Sequence, residues 1–166
     1  MRDYINVRLS YETKYFIEYI QFQLQESLQS TISESEIPLI EKNIKSFINH
    51  EFKEYDPKTI DAISITTILK ISSSSIIEGA FKYSSNFSLD EWKKIEHEMN
   101  TFKKIDRNIE VGSLTPKLYL ERDVITGLNQ YQKNFMKESM VRVVRLSYVI
   151  GIVVFAYYKY IFEIES

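Results

Sequence analysis

Thirteen consecutive uncharged residues separate Arg145 from Lys159 near the end of this chain. The surrounding segment, from about Met140 to Ile164, is apolar almost all the way round a helix, the pattern of a helix with no solvated face. A bilayer-spanning helix needs roughly 20 apolar residues, whereas runs of about 10–14 are more typical of buried core helices. The segment is therefore expected to be a core helix or an oligomer interface. Membrane association is the alternative, because Arg142, Arg145 and Lys159, with Tyr157, Tyr158 and Tyr160, would suit a membrane boundary.

A buried helix needs neighbours, and the rest of the chain supplies helical periodicity. Phe16, Ile20, Leu24 and Leu28 recur every four residues, which predicts an amphipathic helix over about 11–29, capped by Ser10 with Glu12 in its first turn. Ile37, Ile40, Ile44, Phe47 and Ile48 predict a second. There Pro38 is either the third helical residue, with Ser35 as cap, or the first. Asp56-Pro57 is a further helix start, and the Ile- and Thr-rich stretch Thr59–Ile71 leans to helix. The run Ser72–Ser75 is a linker or a helix cap, with a short helix over Ile76–Tyr83.

The strongest local signal lies at Phe87–Trp92. Ser88 and Glu91 have the spacing of a capping box, and Phe87 can staple onto Trp92. Trp92, Ile95, Met99, Phe102 and Ile105 then share a face, predicting a helix to about Asn108. After Thr115-Pro116, Leu120, Val124, Leu128, Tyr131 and Phe135 suggest another helix, weakened by Gly127, although a strand near Lys117–Ile125 also fits. The 4 glycines and 3 prolines favour long helices over a many-stranded barrel. The expected fold is mainly α: a short N-terminal strand followed by a multi-helix bundle with a buried hydrophobic C-terminal helix.

Composition removes several chemistries. The chain has no cysteine, which excludes a disulfide framework, a Cys-based zinc site and a Cys nucleophile. His50-Glu51 and His97-Glu98 resemble the start of a zinc-protease motif, but neither has a second histidine four residues later to share a helix face. The sequence contains no Gly-rich phosphate loop and no Gly-x-Ser-x-Gly elbow. Glu96, Glu98, Asp106, Glu121 and Asp123 fit solvated helix faces better than an acid–base pair. No metal, cofactor or enzymatic activity is expected. The start of the chain has no apolar run of signal-peptide length, so a cytoplasmic, intracellular protein is expected. The net charge of −2 gives no strongly basic footprint.

The N-terminal residues carry a more specific pattern. Ile5, Val7 and Leu9 alternate with Asn6 and Arg8, the period of a half-buried strand. That strand, the helix from Ser10 to Leu28 and the stretch Ser33-Glu34-Ser35-Glu36-Ile37 together resemble the ribbon-helix-helix family of DNA-binding proteins. The resemblance implies that two chains pair their strands into a ribbon that enters the major groove. It places Tyr4, Asn6 and Arg8 toward duplex DNA, Ile5, Val7 and Leu9 inward, and Ser35 near a phosphate at a helix N-terminus. Arg can bond guanine O6 and N7 together, and Asn can do the same with adenine. Residues 1–55 would be the ribbon-helix-helix-like module and 56–166 a helical domain. The implied function is that of a non-enzymatic DNA-binding regulator acting as a homodimer. The alternative is an all-helical protein-interaction module: Phe16 to Leu24 resembles the first homology segment of Bcl-2-type proteins, whose viral members can have this length and a hydrophobic tail. The Asn-Trp-Gly-Arg motif of that family is absent, with Ser74-Ser75-Ile76-Ile77 the nearest substitute.

Overall fold

The computed structural model describes residues 1–32, 34–51 and 70–162. The elements are β1 (Arg2–Asn6), α1 (Tyr11–Thr31), α2 (Ile37–Glu51), α3 (Ser73–Ser84), α4 (Leu89–Thr101), β2 (Lys117–Glu121), α5 (Arg122–Asn134) and α6 (Leu146–Ile161). The protein is mainly helical, with the short N-terminal strand in a two-stranded sheet.

The chain divides into two compact units, residues 1–21 with 72–166, and residues 22–71. This differs from the expected division at residue 55. The reason is the strand pairing: β1 lies antiparallel to β2, with Tyr4 opposite Tyr119 and Asn6 opposite Lys117. That ladder binds the N-terminal residues into the C-terminal part of the chain.

The core of the first unit forms around α6, where Val149 to Ala156 are all buried. Helices α3, α4 and α5 pack against it, and α1 contributes Phe16, whose ring lies 5.3 Å from that of Phe155 and 4.6 Å from that of Tyr158. The expected buried C-terminal helix is thus present. Among the described residues no helix is long and apolar enough to cross a membrane. An ion pair between Lys159 and Glu98, both largely buried, ties the last turn of α6 to α4.

Local signals account for most of the boundaries. Ser72 caps α3 by accepting from the Ser75 amide, so the serine run is a helix start and not a linker. Ser88 and Glu91 form both bonds of the capping box, and Phe87 packs on Trp92 at 5.2 Å between ring centroids, with Trp92 only 4% exposed. Replacing Ser88 with alanine is expected to lower unfolding free energy by about 0.5–2 kcal/mol, read as a lower urea midpoint at unchanged slope.

Helix α4 stops at Thr101, short of the expected Asn108. Phe102 is already extended, its amide closing the last turn on the Met99 carbonyl. Farther on, the Asp106 carboxylate accepts from the Asn108 amide at 2.9 Å, a local turn that competes with helix. The Tyr11 hydroxyl then donates to the Asp106 and Ile109 carbonyls, holding that turn against α1. Between β2 and α5 the chain changes period abruptly, so Leu120 belongs to the strand and Val124 and Leu128 to the helix core. Gly127 is needed in α5 because a side chain there would overlap the Phe81 ring.

In the second unit, α2 starts one residue before Pro38, between the two expected starts, where its missing N–H costs no helical bond. Its Ile37, Ile40, Ile44 and Ile48 are half-buried and Phe47 is exposed. The expected helix over Thr59–Ile71 falls mostly outside the described residues.

Three carboxylates are held below their ordinary range. Asp3 is lowered by its hydrogen bonds from Arg122, and Glu91 by the Ser88 cap. Burial would raise Glu12, but its own backbone amide and Arg107 outweigh that and lower it. A carboxyl lowered on folding stabilises the native state above its unfolded pKa, and that stability is lost as pH falls through the folded pKa. Urea midpoints are therefore expected to be flat near neutrality and to fall below about pH 4. A midpoint that rises on acidification would contradict these assignments.

Candidate functional site

The two-stranded sheet presents a sharply two-sided ribbon. Leu118 and Leu120 of β2 are fully buried, so period-2 alternation turns Lys117 and Tyr119 outward. Across the ladder the same face carries Arg2, Tyr4 and Asn6 of β1. Arg8, two residues beyond β1, is also exposed, next to buried Leu9, whose amide is held by the Leu114 carbonyl at 2.7 Å.

Tyr4 and Tyr119 are directly opposed and their ring centroids lie 4.6 Å apart, yet both remain exposed, at 66% and 44%. Cations flank the pair on both sides. The Lys117 ammonium lies 5.5 Å from the centre of the Tyr4 ring, and the Arg2 guanidinium 6.0 Å from that of Tyr119.

These cations are not equivalent. Arg2 is committed to structure, bonding Glu78 at 2.7 and 3.0 Å and Glu121 at 3.3 Å. Lys82 also reaches Glu121. Arg8 and Lys117 have no carboxylate partner among the described residues. The outer ribbon face therefore carries Lys117 beside an open aromatic pair and an exposed amide, Asn6, and Arg8 follows just past the end of β1, neither cation having a carboxylate partner among the described residues.

The far edge of β2 is closed by α3. Ser74 accepts from the Tyr119 amide at 2.9 Å, and Glu78 accepts from the Glu121 amide at 2.8 Å. These latches satisfy edge N–H groups that would otherwise invite another strand. They also fix the ribbon's position on the first unit.

Comparison with protein-family models, with curated proteins and with solved structures finds no significant match to this chain.

Of the residues expected to form the site, Tyr4 and Asn6 share the outer face of the ladder, and Arg8, beyond the end of β1, is exposed. Ser35 does not join them in one unit. It lies, exposed, in the turn leading into α2 of the second unit. A second copy was expected to be needed to satisfy the β1 ladder, but β1 takes its partner from Lys117–Glu121 of its own chain. Lys117 and Tyr119 were absent from the expected site. Their signal was the alternation Lys117-Leu118-Tyr119-Leu120 after Pro116, legible as a strand but silent about its partner.

Proposed function

We propose that this is a non-enzymatic protein that binds duplex DNA through the outer face of its β1–β2 ribbon. The observation that carries this reading is the exposed Tyr4–Tyr119 pair and Asn6 on the ribbon, with Lys117 against the Tyr4 ring and Arg8 just beyond β1, two cations without a carboxylate partner among the described residues. A two-stranded ribbon is narrow enough for the major groove, about 12 Å wide. Arg8 and Asn6 are the side chains suited to base edges, while Lys117 suits a phosphate. A ribbon made within one chain needs no second copy to present this face.

Few free cations imply few phosphate contacts and a shallow salt dependence. The one phosphate contact, from Lys117, corresponds to a slope of log affinity on log salt of about −1. Fluorescence anisotropy with a labelled duplex tests this. Arg8→Ala is expected to weaken binding by about tenfold, and Lys117→Ala to flatten the salt slope by about one. Equal affinity of both variants and the native protein would overturn the reading, as would failure of the native protein to bind at low salt.

A further inference from the structure

A cleft of about 680 Å³ opens between the first turns of α1, the end of α4 and the first turns of α6, all within the first unit. Small-molecule sites span roughly 300–1,000 Å³. The apolar part of its lining is Phe16, Met99, Phe102 and Ile105. Gly151 of α6 lies between the helices here, where a Cβ would sit 2.9 Å from the Thr13 hydroxyl. The glycine thus lets α6 approach α1 closely behind the cleft.

The charged part of the lining is dominated by one sign. Lys103, Arg107 and Arg145 face a single carboxylate, Glu12, and Arg107 already holds Glu12 in an ion pair. Lys103 and Arg145 have no carboxylate partner among the described residues. Arg145 also stands at the start of α6, which no side chain caps. The positive end of that helix therefore adds to the field of the two cations.

An apolar lining joined to an uncompensated cationic rim fits a ligand with both characters. We propose that the cleft binds a small amphiphilic carboxylate, its apolar body against Met99, Phe102 and Ile105 and its anionic head between Lys103 and Arg145. A bare inorganic anion would leave the apolar lining unused. A neutral apolar molecule would leave the two cations without a counter-charge.

Isothermal titration of the full chain with decanoate below its micellar concentration tests the proposal. Decanol and inorganic phosphate serve as comparison ligands. Saturable binding of one decanoate per chain is expected, with decanol and phosphate each weaker by about tenfold or more. Arg145→Glu should weaken decanoate by at least about tenfold, whereas Lys133→Glu, on α5 and not part of the cleft lining, should leave it unchanged. Thermal melts establish that the variants are folded, and the three-ligand comparison on the native chain does not depend on them. No saturable decanoate binding, phosphate or decanol binding as tightly as decanoate, or undiminished binding in folded Arg145→Glu would each overturn it.

Discussion

Truncating Phe155 to alanine is expected to cost about 3–5 kcal/mol of unfolding free energy, the range for deleting a large aromatic from a packed core. The side chain is 1% exposed. Its ring lies 5.3 Å from Phe16 of α1 and 5.4 Å from Phe102, the residue that ends α4. Alanine at this position removes one member of a three-ring cluster that joins α6 to two other segments of the first unit. The cavity cannot close by a small shift, because Phe16 and Phe102 also pack on Tyr158 at 4.6 and 6.1 Å. Phe155→Leu keeps most of the volume and should lose considerably less. Urea denaturation of the three proteins is the measurement. A loss under about 1 kcal/mol for Phe155→Ala would contradict the placement of the core around α6.

Replacing Glu78 with alanine is the second large expected effect, roughly 2–3 kcal/mol. The Glu78 side chain is 8% exposed and accepts from both the Arg2 guanidinium and the Glu121 amide. Its removal leaves an edge amide of β2 and the Arg2 head without these acceptors. The cost of stranding donors in a part-buried site exceeds the modest net worth of each bond. Because the Arg2 side chain is 38% exposed, the ion pair itself contributes less than a fully buried one would. Glu78→Gln, which keeps an acceptor for the amide, is expected to recover part of the loss. If alanine and glutamine are equally destabilising, the amide latch contributes nothing and Glu78 acts by charge alone.

The helices were legible because their signals are local. The capping box at Ser88 and Glu91 and the period of Phe16 and Ile20 each lie within a few turns of one another, and the structure reproduces them. The same holds for the uncharged run in α6, whose length alone separated a core helix from a membrane span. What could not be read is pairing over distance. The alternation at Ile5 to Leu9 marks a strand with one buried face, but a period of two says nothing about which edge partner it finds. Its partner lies more than a hundred residues away, at Lys117–Glu121. The alternation alone therefore calls for a second copy where the chain supplies its own partner strand. The same lack of a pairing signal hid Lys117 and Tyr119 from the candidate site. Helix α4 ends early at an extended Phe102, which an apolar stripe continuing to Ile105 does not reveal, and the Asp106 carboxylate then accepts from the Asn108 amide in a local turn.

The central functional claim is that duplex DNA meets the outer ribbon face. Backbone amide shifts of the labelled protein, recorded while a short duplex is added, test it most directly. The account predicts that the amides perturbed first cluster at Tyr4, Asn6, Arg8, Lys117 and Tyr119, with buried Leu118 and Leu120 moving less. Perturbations confined to other parts of the chain, or none at a duplex concentration that saturates the anisotropy signal, would contradict it.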